Sequence, residues 1–153
     1  MKVAFFHGLD SEPITQKNYL LRETFDDVYD PPMDYKNPNL FNDVLSVLEK
    51  NPVDLLIGSS MGGYFAYCLS TQLGVRTLLF NPAVHSRPIE PVVNLGDKES
   101  NHLIILGRYD NIIKPEQSVD FFKSVYNSSI IMCDIGHTIP IDIFKRYINL
   151  YKF

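Results

Sequence analysis

Hydrophobic and polar positions follow two rhythms along this chain. Residues 2–7 (KVAFFH), 53–58 (VDLLIG), 75–80 (VRTLLF), 102–107 (HLIILG) and 129–133 (SIIMC) are short, nearly unbroken apolar runs. Strands covered on both faces need that pattern, because neither set of alternate side chains meets water. DDVYD at 26–30 is a shorter, weaker strand, stopped by Pro31 and Pro32. Between these runs the period becomes helical. Ile14, Tyr19, Leu20 and Phe25 fall loosely on one face of residues 14–25. Leu40, Phe41, Val44, Leu45 and Leu48 make a cleaner face, with Pro38 near its start and Asn51-Pro52 ending it. Met61 to Leu73 reads as a helix with Gly74 as its C-cap. Pro115 opens a helix that turns Val119, Phe122 and Val125 inward, and Pro140 opens a closing one carrying Ile141, Phe144, Ile148 and Tyr151. Residues 81–101 have no clear period and contain three prolines, which predicts a long loop with room for one helical turn.

Six strands separated by helices predict an α/β fold. Parallel neighbours need crossover connections, so the expected architecture is three-layer and doubly wound, with a mainly parallel six-stranded sheet. At 153 residues the chain suits one domain spanning 1–153. Ligands of such sheets bind at the carboxyl ends of the strands, so the residues just after each strand are the ones to inspect.

Composition removes several classes. Apolar residues make up 45% and charged residues 21% of the chain, as in an ordinary globular protein. The net charge of −4, with no cluster of Lys or Arg, argues against nucleic acid and anionic membrane as partners. No apolar stretch approaches the roughly 20 residues that span a bilayer, so no membrane insertion is expected. MKVAFFHG reads as a first strand rather than a signal peptide. Cys68 and Cys133 each sit in an apolar segment and read as buried free thiols, which suits a reducing cytoplasm. Cys and His show no metal-ligand spacing, and no metal or organic cofactor is implied. A nucleotide-binding reading fails too: no G-x-G-x-x-G follows strand one, and no G-x-x-x-x-G-K-[ST] exists.

Four strand ends carry chemistry: His7-Gly8-Leu9-Asp10, Gly58-Ser59-Ser60-Met61-Gly62, Gly107-Arg108-Tyr109-Asp110 and Asp134-Ile135-Gly136-His137. Nucleophile, acid and base candidates therefore share one predicted edge in the order Ser, Asp, His. Gly58 and Gly62 bracket Ser60 in the pattern G-x-S-x-G, whereas Ser59 would need glycine where Ile57 stands. A serine on a sharp strand-to-helix turn takes strained backbone angles, and small residues two before and two after let the chain segments pass.

At these residues the chain resembles the α/β-hydrolase superfamily, and more narrowly the YqiA-like (UPF0227-like) small esterase group. FFHGLDSEP, IGSSMGGYFA and FNPAV carry the resemblance, in motif order over essentially the whole chain. The chain departs from the superfamily in lacking the first two strands of the full sheet and the room for a sizeable cap between FNPAV and HLIILG. The resemblance implies a minimal α/β-hydrolase core and an acyl hydrolase, and leaves the substrate open.

The expected roles follow. Ser60 is the nucleophile, His137 the general base and then acid, and Asp110 the carboxylate that orients His137. Asp134 is a rival acid, disfavoured because it lies three residues before His137, and Asp142 is weaker still. By resemblance, the backbone N–H groups of Leu9 and Met61 form the oxyanion hole. His7 braces the HG loop. His85 and His102 have no motif support, although His85 follows strand four and is near enough in sequence to line the cleft. Asp10, Tyr64 and Val84 are expected to contact substrate in an open site that favours short acyl groups. The expected activity is cleavage of a small carboxylic ester or thioester through an acyl-enzyme on Ser60. The alternative is a hydrolase-fold binding or interaction protein that keeps the elbow without turnover. Protein partners are not indicated.

Overall fold

The computed structural model describes residues 1–9, 12, 14–85 and 95–152. In chain order the elements are β1 (Lys2–Phe6), α1 (Gln16–Thr24), β2 (Asp27–Tyr29), α2 (Leu40–Lys50), β3 (Leu55–Ser59) and α3 (Met61–Leu73). They continue with β4 (Thr77–Phe80), β5 (His102–Gly107), α4 (Pro115–Phe122), β6 (Ser128–Cys133), α5 (Ile141–Ile148) and a closing 3-10 turn, Asn149–Tyr151. One sheet holds all six strands in the order β2-β1-β3-β4-β5-β6. Every neighbouring pair is parallel, so the sheet is wholly rather than mainly parallel.

Strand side chains alternate between faces, and the two cores divide on that rule. Val3, Phe5, Leu55 and Ile57 pack beneath α1 and α5 against Leu21 and Phe144. Ala4, Phe6, Leu56 and Leu79 pack on the other face, beneath α2, α3 and α4. The winding reverses between β1 and β3, since β2 is added on one side of β1 and every later strand on the other. Right-handed crossovers running in opposite directions put their helices on opposite faces, which opens a crevice at that reversal. The HG loop and the Ser60 turn stand at its two sides.

Several boundaries differ from the sequence pattern. Helix α1 begins at Gln16 rather than at 14, because Thr15 and Asn18 form a capping box: the Lys17 N–H donates to Thr15 Oγ1 and the Thr15 N–H donates to Asn18 Oδ1. Ile14 and Tyr19 are consequently exposed, and Leu21 and Phe25 form the buried face. Val125 lies beyond the end of α4, and Tyr151 lies in the 3-10 turn under the Arg76 guanidinium. Gly74 caps α3 at φ 72°, the left-handed conformation its sequence position predicts. Cys68 is buried, but Cys133 is only half-buried, at the end of an edge strand with Sγ 3.4 Å from the Tyr147 hydroxyl. Residues 95–101 form no helix or strand, and 86–94 fall outside the described residues. Among the described residues no helix is long and apolar enough to cross a membrane.

Candidate active site

Ser60 is the first residue beyond β3 and adopts φ 56°, ψ −118°. A serine at positive φ is costly unless its surroundings over-determine it. Backbone bonds on both sides of the Ser60 peptide do so here. The Ser60 N–H donates to Phe80 O at 2.9 Å, and Ser60 O accepts from the N–H groups of Ala83 (2.9 Å) and Gly63 (3.0 Å). The two bracketing glycines have a measurable reason. A Cβ on Gly58 would stand 2.1 Å from Gly62 O, and one on Gly62 would stand 2.0 Å from Phe6 O. The ends of β1 and β3 and the first turn of α3 thus meet at backbone-to-backbone distance around Ser60. Ser59, by contrast, is an ordinary last strand residue paired with Phe80 of β4.

Asp110 and His137 come from neighbouring strand ends. Gly107 closes β5 and Cys133 closes β6, and Arg108 N–H to Cys133 O (2.8 Å) and Tyr109 N–H to Ile135 O (3.0 Å) carry the pairing past the sheet. The Asp110 side chain is fully buried, and its Oδ1 accepts from the N–H groups of Ile112 (2.9 Å) and Ile113 (2.8 Å). Its Oδ2 stands 2.7 Å from His137 Nδ1. A buried carboxylate needs its lone pairs satisfied, and these three donors do that with His137 carrying the proton on Nδ1. The His137 Nε2 is then the basic nitrogen. Asp134 points elsewhere: its carboxylate is exposed and pairs with Arg108 Nε at 2.7 Å.

The HG loop is braced as expected. His7 is buried, its Nδ1 lies 2.8 Å from Gly8 O, and its Nε2 lies 3.1 Å from the Met33 N. Only one tautomer serves both contacts, with the proton on Nδ1 and Nε2 accepting. The buried Tyr35 hydroxyl donates to His7 O, and burial raises its pKa well above the ordinary phenol value. Leu9 is exposed at the crevice, while Met61 is buried at the first position of α3, where backbone N–H groups lack helical acceptors.

Tyr64 and Val84 are both buried, Tyr64 against the rings of Tyr67 and Phe121. Asp10 lies outside the described residues. The His85 ring meets Phe121 edge-on, 6.0 Å between centres. His102 opens β5 at the opposite edge of the sheet, bonded through Nδ1 to Thr77 Oγ1 at 2.9 Å. Among the described residues no three His, Cys, Asp or Glu side chains group as metal ligands would.

One residue of this region escaped the motif reading. Asn81, from FNPAV, is buried, and its side chain reaches Gly107, Gly136 and His137. Those partners are backbone groups far away in sequence, so no spacing within the motif could reveal them.

Comparison with known proteins places the fold. A family model described as "Uncharacterised protein family (UPF0227)" matches residues 2–102. Among curated proteins no sequence matches the chain. The fold is similar to that of a protein from Xanthomonas campestris pv. campestris assigned to the hydrolases of the alpha/beta superfamily. That pair has a TM-score of 0.79 at 18% identity, over 99% of this chain and 96% of the other. Est1E from Butyrivibrio proteoclasticus gives 0.72 at 13% identity, over 98% and 86% of the two chains. A monoacylglycerol lipase from Paleococcus ferrophilus gives 0.71 at 15% identity, over 99% and 93%. Likeness at such identities establishes the α/β-hydrolase fold.

Proposed function

The chain belongs to the UPF0227 family, and we propose that it is a serine hydrolase cleaving small carboxylic esters or thioesters, with residues 1–153 working as one domain. The observation that carries this reading is the Asp110–His137 contact of 2.7 Å, on the same sheet edge as a serine held at positive φ.

In the proposed reaction Ser60 Oγ attacks the substrate carbonyl as His137 Nε2 takes its proton. Asp110 keeps the Nδ1–H aimed and stabilises the imidazolium that forms. Negative charge developing on the carbonyl oxygen meets the N–H groups of Leu9 and Met61, with the start of α3 behind Met61. Collapse expels the alcohol or thiol, which takes the proton from His137 and leaves an ester on Ser60. Water then attacks that ester with His137 again as base, releasing the acid and restoring Ser60. Asp10, Tyr64 and Val84 are proposed to shape the acyl side of the site.

The test is a p-nitrophenyl ester series with wild type and Ser60→Ala. Hydrolysis that falls as the acyl chain lengthens, and that vanishes with Ser60, is the expected result. A preference for long chains contradicts the open-site part of the reading, and full activity of Ser60→Ala contradicts the whole.

A further inference from the structure

Asn81 lies in the turn after β4, at the edge of the sheet that carries the candidate site. It is 2% exposed, has φ 43°, and follows β4 with its own N–H still in the ladder to Ile105 O at 2.9 Å. Asparagine is one of the few residues that tolerates this left-handed backbone. From there its amide reaches two other strand ends at once. Nδ2 donates to His137 O at 2.9 Å and to Gly136 O at 3.1 Å, while Oδ1 accepts from the Gly107 N–H at 2.7 Å. Two carbonyls on one side and an N–H on the other fix the orientation of the amide. Residues flanking it in the same turn grip the third strand end, since Phe80 O and the Ala83 N–H bracket the Ser60 peptide. The turn after β4 therefore touches the loops of Ser60, Asp110 and His137 together.

We propose that Asn81 is a positioning residue that sets the His137 imidazole between Asp110 and Ser60. The proposal rests on the reading of those three residues as the reacting row. Asp110 holds the ring through Nδ1, but one hydrogen bond leaves the ring free to swing about it. Fixing the main-chain carbonyl of His137 removes that freedom from the other end. The second donation, to Gly136, keeps the preceding peptide against Gly107, where a Cβ would stand only 2.4 Å from Gly136 O. A base that drifts by about 1 Å loses on the order of a hundredfold in rate. Asparagine suits the task and aspartate does not, because a carboxylate there keeps the Gly107 bond yet sets an oxygen against two carbonyl oxygens.

Asn81→Asp is the discriminating variant, compared with wild type, Ser60→Ala and Thr77→Val. The last removes a buried hydrogen bond at the opposite sheet edge and serves as a control for stability alone. With p-nitrophenyl acetate, Asn81→Asp should lower kcat about a hundredfold with KM nearly unchanged. Thr77→Val should lower the unfolding temperature and leave kcat in place. Wild type should show a low-field proton resonance of His137 Nδ1–H, and in Asn81→Asp it should disappear or move upfield. A kcat for Asn81→Asp equal to that of the control, or an unmoved resonance, overturns the proposal. So does a wild type that shows no such resonance. If Asn81→Asp does not fold, Asn81→Gly, which accepts the left-handed backbone, takes its place under the same criteria. If neither folds, Asn81 is a folding residue and the proposal fails. Equal turnover by wild type and Ser60→Ala sinks the hydrolase reading instead, and the resonance then decides the role of Asn81 alone.

Discussion

At the residue scale, backbone crowding explains why the glycines around Ser60 could be read from spacing. Gly58 and Gly62 sit where a Cβ would collide with main-chain oxygens, and rigid backbone cannot move aside as a side chain would. Gly62→Ala should therefore cost about 1–3 kcal/mol or more, the usual penalty for overfilling packed space, read as a lowered midpoint in urea unfolding. A cost near zero would mean that β1 and α3 can separate. The proposed acid was less legible, since Asp110 and Asp134 both follow a strand. Their surroundings differ sharply: Asp110 is enclosed and takes three hydrogen bonds, whereas Asp134 faces solvent beside Arg108. Asp110→Asn should reduce kcat by several orders of magnitude, about 10⁴-fold where such a carboxylate has been replaced elsewhere, in protein that still melts cooperatively. Asp134→Asn should leave kcat unchanged. Asn81 was illegible for the opposite reason, because it acts on carbonyls 55 and 56 residues away.

At the element scale, the central strands were legible because burial on both faces leaves no polar interruption in Leu55–Ser59 or His102–Gly107. Their ends were less clear. Val53 and Val75 extend the apolar runs, yet they precede the first paired residues, Leu55 and Thr77. The start of helix α1 is not visible in the hydrophobic period, because side-chain hydrogen bonds set it. Thr15→Ala removes the acceptor for the Lys17 N–H and should cost about 1 kcal/mol, the usual loss for an N-cap. Thermal unfolding with unchanged ester kinetics would check that this cap supports α1 alone. A drop in kcat at unchanged stability would instead tie α1 to the neighbouring HG loop.

At the scale of the whole molecule, the order β2-β1-β3-β4-β5-β6 gathers separate strand ends into the candidate site. Chain order alone leaves residues 60, 110 and 137 far apart, and parallel winding brings their loops to one edge. The opposite edge holds a group whose titration should affect stability away from the proposed site. Burial pushes the His102 imidazole below its ordinary value of 6.5, so the folded protein holds it neutral while the unfolded chain protonates. Below pH 6.5 the unfolded state binds more protons, so this contribution to stability is complete above that pH and is lost as the pH falls. His102→Gln should flatten the acid side of a plot of urea midpoint against pH, and an unchanged slope would rule the residue out as its source. The most direct test of the central claim, that Ser60 is the nucleophile, is covalent labelling by a fluorophosphonate, read by intact mass. Wild type should gain one phosphonyl adduct, mapped to the peptide containing Ser60, and folded Ser60→Ala should gain none. A folded wild type that stays unlabelled, or a Ser60→Ala variant that labels equally well, would contradict the account.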